Sequence, residues 1–212
     1  MQVLLDGVPI DVPRPSVALA IQTAAADAVR RGRIVIEVKA DGVALTGEQL
    51  SNPADEDCGI RELSMLSADP RLLVQQTVLD AADAVESVRA DQASAAEMIQ
   101  TGRANEALDT LQRAFITWQA ARDVVARGAA LLSIDLDRLA LPGVAEDVSF
   151  ASATTDLLSH LTQLKDALNR QDWSALADIV AYDLDADAQT WHALLTSFAT
   201  YVKGLRPGTS AE

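Results

Sequence analysis

Cysteine is almost absent from this chain, with Cys58 the single example, so no internal disulfide and no multi-cysteine zinc site can form. Histidine is nearly as scarce. His160 and His192 are the two in the sequence, and no Glu-x-x-His or His-x-x-x-His spacing joins them to further ligands. Aromatic residues amount to 4%, and no apolar run approaches the roughly 20 residues that span a bilayer. Basic residues are also under-represented: 17 against 31 acidic ones leave a net charge of -14. A field of that sign repels phosphate backbones and anionic lipid headgroups, so neither nucleic acid nor a membrane surface is an expected partner.

The acidic excess is spread along the chain, with six basic and 11 acidic residues up to Pro70. Met1–Asp6 carries no basic n-region, so a secretory leader is not expected, and the lone cysteine fits a reducing, cytoplasmic setting. What remains is an ordinary globular mixture. Hydrophobic residues make up 49% of the 212 and charged residues 23%, enough apolar material for a packed core in one generous domain or two small ones.

The first third of the chain has strand and turn chemistry. Asp6-Gly7 supplies a two-residue turn between Val3-Leu4-Leu5 and Val8-Pro9-Ile10-Asp11-Val12, with the proline favouring an edge strand. Ser16 can cap a helix whose apolar positions Val17, Ile21, Ala24, Ala25, Ala28 and Val29 recur at helical spacing, and Gly32 can close it. Ile34–Val38 is the clearest strand signal. Asp41-Gly42 offers a second turn before Val43-Ala44-Leu45, residues 51–57 read as loop, and Ile60–Leu66 reads as a last strand.

The resulting ββαβββ order resembles the β-grasp, or ubiquitin-like, fold, and Leu45-Thr46-Gly47-Glu48-Gln49-Leu50 is similar to the Gly-x-Gln-Leu turn of ubiquitin. The resemblance implies fold rather than activity. A conjugated modifier of that family would end in a free diglycine, whereas this sequence runs on past Leu66 and finishes in Ser210-Ala211-Glu212.

Beyond Asp69-Pro70 the period changes. Val74, Val78, Ala81, Val85, Val88, Gln92, Ala95 and Ile99 form a heptad seam, Gly102 makes a turn, and a second seam follows through Leu108, Leu111, Phe115, Trp118, Val125, Ala129 and Leu132. A third helix carries Leu157, Leu161, Leu164 and Leu168. A fourth carries Leu176, Val180, Leu184, Trp191, Leu194, Phe198 and Tyr201. Each hairpin alone leaves apolar surface uncovered, so the expected fold class is α+β: a β-grasp-like domain over 1–70, an antiparallel four-helix bundle over 71–203, and a flexible tail over 204–212.

Chemistry-bearing motifs fail their tests one by one. Asp183-Leu184-Asp185-Ala186-Asp187 alternates like the opening of a calcium loop, but Ala188 stands where the glycine belongs and Leu194 where the bidentate glutamate belongs. The sequence contains none of the glycine-rich phosphate loops and no nucleophile elbow. Cys58 follows Asp55-Glu56-Asp57, whose charge makes a thiolate scarcer. No catalytic, cofactor-binding or metal-ligating residue is therefore expected.

Arg122, beside the second seam, is expected to face Asp80 and Asp83 and to fix helix register through an ion pair. Trp173 and Tyr182 are the best partner-binding candidates, as aromatics on a helix outside the core seam. The segment from Trp173 to Leu184 resembles a helix of uncharacterised bacterial helical proteins. The functional expectation is a bacterial, non-enzymatic protein-interaction module: an adaptor, an assembly subunit or an acidic chaperone-like protein. Such a module would bind a protein partner, and its seams could also pair between copies in a homo-oligomer. The alternative is an enzyme or small-ligand binder with its site at the junction of the two domains.

Overall fold

A computed structural model describes residues 1–54, 59–145 and 147–205 and divides the chain into two compact units, Met1–Leu73 and Val74–Glu212. Cys58, most of its acidic neighbourhood and the last seven residues, 206–212, lie outside the described residues.

The N-terminal unit is a mixed five-stranded sheet with one long helix on it. Strands β1 (Gln2–Leu5) and β2 (Val8–Pro9) meet at Asp6-Gly7, and β3 (Ile34–Ala40) and β4 (Val43–Ala44) meet at Asp41-Gly42. All four turn residues have positive φ, which asparagine, aspartate and glycine tolerate best and which gives the turn a twist matching the strands it joins. The last strand, β5 (Glu62–Ala68), pairs parallel to β1 and antiparallel to β3, so the order across the sheet is β2-β1-β5-β3-β4.

Helix α1 (Val17–Arg30) starts at Ser16, whose hydroxyl accepts the Leu19 N–H at 3.1 Å. Its residues Val17, Ala20, Ala24 and Ala28 bury against Val3, Leu5, Val38, Leu63 and Met65 to form the core. Val29, expected on that core face, is instead 67% exposed, because the sheet takes the 20/24/28 stripe and leaves 21/25/29 to the side. The last strand begins two residues later than the hydrophobic pattern suggests. The Asp41 carboxylate first receives the Arg61 and Glu62 N–H groups, at 3.1 and 2.9 Å, and sets the register there. The ubiquitin-similar segment forms a single helical turn, α2 (Glu48–Ser51), entered through Gly47 at φ 53.

The C-terminal unit is helical. Helices α3 (Pro70–Gln100) and α4 (Ala104–Leu132) form one antiparallel pair around Gly102, whose φ of 80 closes the turn. Near the far end of this pair Gly128 approaches Val74 so closely that an added Cβ would lie 2.9 Å from the valine side chain. All eight positions of the α3 seam are buried, from Val74 to Ile99. In α4 the buried face is centred on Ala107, Leu111, Ala114, Trp118, Ala121, Val125 and Ala129, with Leu108, Phe115 and Leu132 only half-buried at its flank.

Helix α5 (Phe150–Arg170) opens on a reciprocal Ser149/Ser152 capping box. The fourth helix expected from sequence is interrupted: α6 (Trp173–Asp178) passes through a π-turn, Ile179–Asp183, into α7 (Leu184–Gly204). The cause is visible in the spacing. Leu176, Val180, Leu184 and Ala188 are all fully buried and step by four, which in a regular α-helix drifts by about 40° per step. A wider turn returns them to one face.

One hydrophobic cluster gathers residues from α3 to α7. Edge-to-face contacts join Trp118 to Trp191 at 5.9 Å, and Phe150 to Trp191 at 5.7 Å and to Phe198 at 5.8 Å. The expected Arg122 ion pair does not form. Arg122 is exposed, Asp80 accepts from Gln76 of its own helix, and an ion pair between helices instead joins Arg89 of α3 to Asp185 of α7 at 2.7 Å. Among the described residues no helix is long and apolar enough to cross a membrane.

Candidate functional site

The side stripe of α1 lines a groove in the N-terminal unit. Ile21, Ala25 and Val29 form one wall, Ile34–Val38 of β3 the floor edge, and residues 44–47 with Leu50 the remaining boundary, enclosing about 720 Å³. The lining is almost wholly aliphatic. Glu37 is its only charged member, and that carboxylate is already engaged by Lys39 Nζ at 2.7 Å. Val29, Ile36, Val43 and Leu50 present exposed apolar surface in or beside the groove. A contiguous apolar hollow of this kind is suited to receiving apolar side chains.

Neighbouring polar groups hold the sheet that carries the groove. Asp6 accepts the Ser67 N–H at 2.7 Å and the Ser67 hydroxyl at 2.6 Å, while Arg33 donates to that hydroxyl at 2.7 Å. The side-chain and backbone hydrogen bonds from Ser67 lower the Asp6 pKa against the opposing effect of burial, with Arg33 and Arg31 adding to the lowering. The Asp41 carboxyl is lowered in the same sense, chiefly by the Glu62 N–H. Each hairpin turn thus contributes a carboxylate that fastens β5.

The sequence candidates lie elsewhere. Trp173, at the start of α6, is 40% exposed, and Tyr182, inside the π-turn, is 71% exposed, so both are reachable by a partner. The alternating aspartates separate, as their helical spacing requires. Asp185 takes Arg89 and Gln189, whereas Asp187 is buried and lies 2.8 Å from His160 Nδ1 on α5. Among the described residues no group of three or more His, Cys, Asp or Glu side chains is arranged for a metal ion.

His160 and Asp187 form a partly buried pair, the ring 26% and the carboxylate 8% exposed. Burial pulls the His160 pKa down, but the hydrogen bond and charge of Asp187, with Asp183 and Asp156 nearby, outweigh it and raise the pKa above the usual value. Burial pushes the Asp187 carboxyl up in spite of its histidine partner. Asp187 is the one hydrogen-bond partner of His160 among the described residues, and it fixes the orientation of the ring. His192, on α7, is half-buried beside Trp191.

Neither the groove nor the His160–Asp187 pair was found from sequence. The groove had one signal: α1 carries two parallel apolar stripes where a single sheet face needs one. The pair had none, because it joins residues 27 apart on two helices.

No protein-family model, no curated protein and no solved structure matches this chain.

Proposed function

We propose that this chain is a non-enzymatic protein-interaction module, an adaptor, assembly subunit or acidic chaperone-like protein. In this reading the N-terminal unit is a β-grasp-like domain that offers the docking groove. The helices are an antiparallel four-helix bundle that presents Trp173 and Tyr182 as a second, smaller surface. The observation that carries the reading is the groove itself, an aliphatic hollow of about 720 Å³ whose one charged lining group is already paired. Apolar surface left open in a folded unit is where protein partners bind, and the charge of -14 steers nucleic acid and anionic lipid away from it. The sheet order, with the two outer hairpins flanking a central parallel β1/β5 pair, supports the β-grasp assignment.

Photo-crosslinking in the cell that makes the protein tests this. A photoreactive residue is placed singly at Val29, Val43, Leu158 or Tyr182, all exposed positions. Adducts to another protein at 29 and 43 that disappear on adding Ile36→Lys support the groove. Adducts confined to 158 or 182 overturn it and move the interface to the helices.

A further inference from the structure

The sheet that floors the groove is unfinished along one edge. Strand β4 contributes only Val43 and Ala44, which pair with Ala40 and Lys39, and the Leu45 N–H then donates to the Val38 carbonyl at 2.8 Å. The chain leaves the sheet at that point, through Thr46 and Gly47 into α2. Strand β3 begins at Ile34, so Ile34–Glu37 has β5 on one side and, among the described residues, no strand on the other. Those four residues give an open edge about 13 Å long. Together with Val38 they are the β3 residues that line the apolar groove.

We propose that the groove takes an extended segment of a partner protein, apolar at alternate positions and lacking acidic side chains, which adds to the sheet as a strand along Ile34–Glu37. The proposal rests on the reading of the groove as a protein-docking site and specifies its ligand. A strand laid beside β3 at about 4.8 Å satisfies the main-chain groups of that edge, and its period of two sends every second side chain toward the hollow walled by Ile21, Ala25 and Val29.

A helix docked in the same place would fill the hollow but leave the edge unpaired. A second folded copy is disfavoured by shape. The irregularity between Val35 and Glu37 places Ile36 as an extra, 46% exposed residue that bends the edge, which blocks flat pairing of two rigid sheets while a single strand can follow it. Charge selects further. Lys39 balances Glu37 in the groove, but Glu48 opens the neighbouring α2 and the chain as a whole is strongly acidic, so Lys, Arg or neutral residues suit the partner segment and Asp or Glu do not.

Two display libraries of short peptides, selected on the full chain, provide the test. One has Val, Ile or Leu at alternate positions with Thr or Lys between them; the other has the same residues in a helical i, i+3, i+4, i+7 pattern. Enrichment from the strand-pattern library is expected. Binding of the enriched peptides should fall about tenfold or more with Val29→Glu and with Ile36→Lys, two exposed positions whose substitution leaves the melting curve in place. Backbone N-methylation of such a peptide should weaken binding about tenfold at one alternate set of positions and little at the other, because only every second N–H faces β3. Helix-pattern peptides that win and are lost with Val29→Glu, or N-methyl peptides that all bind alike, overturn strand addition and leave the groove reading standing. Failure of both libraries to enrich, or enrichment indifferent to Val29→Glu and Ile36→Lys, overturns both.

Discussion

In the N-terminal unit two aspartates at hairpin turns, Asp6 and Asp41, reach across to fasten β5, and nine buried hydrophobic residues make the core. In the helical unit long seams of alanine, valine and leucine close over two tryptophans and two phenylalanines, and few polar contacts cross between helices. A short sheet with a small core depends on polar clasps for its register, whereas a long helical core fixes register by side-chain shape. The surfaces differ too: the clasped sheet keeps an apolar hollow open, while the helical unit buries its seams and exposes Ile116, Leu131, Leu158, Trp173 and Tyr182.

The largest effect should come from the helical core. Trp191→Ala removes the ring that touches both Trp118 and Phe150, and should lower stability by about 3–5 kcal/mol in denaturant unfolding followed by circular dichroism. A loss under about 1 kcal/mol would mean that the helices do not close on that ring.

Next comes the clasp. Asp6→Ala strips the acceptor from the buried Ser67 hydroxyl and N–H and should cost about 1–3 kcal/mol. Because the Asp6 and Asp41 pKa values are lowered on folding, their stabilisation is present above the unfolded carboxyl pKa and is lost as pH falls through the folded values. Protection factors of the β1 and β5 amides, with the intrinsic pH dependence of exchange removed, should therefore fall in acid, and less so in Asp6→Asn.

Gln92 sharpens the contrast from the other side. Its side-chain amide is buried in the α3 seam, and among the described residues neither its nitrogen nor its oxygen is hydrogen-bonded. Gln92→Met, similar in volume, should raise stability by about 1–2 kcal/mol. A lower melting temperature would show that the amide has a partner the contacts above lack.

The smallest effect is the pH response of the helical unit, and its sign is opposite to that of the sheet. His160 has a raised pKa in the folded chain, so the stabilisation from its pair with Asp187 is complete below the unfolded histidine pKa and fades as pH rises through the folded value. Protection factors of the α5 amides should fall across that window, and Asp187→Asn should flatten the response. Protection factors of α5 and β5 that fall in the same pH direction would contradict the comparison.

Much of the fold was legible in the sequence because it depended on local rules. The eight positions of the α3 seam, the Ser16 cap and the two Asp-Gly turns follow from period and backbone preference alone. What was not legible depended on how elements meet. The π-turn answers a packing demand that accumulates over several steps of four. Arg122 sits close to its seam in sequence but is turned to solvent, while the pairing that does form, Arg89 with Asp185, spans 96 residues. The groove exists because α1 uses one of two equivalent apolar stripes and because β4 stops after two residues, neither of which hydrophobic periodicity determines.

The most direct test of the account is backbone amide mapping of the full chain while an enriched strand-pattern peptide is titrated in. The account predicts perturbations grouped on residues 21–29, 34–38 and 44–50, with new exchange protection among the amides of Ile34–Glu37. Perturbations centred on Trp173, Tyr182 and His160, with β3 unchanged, would contradict it.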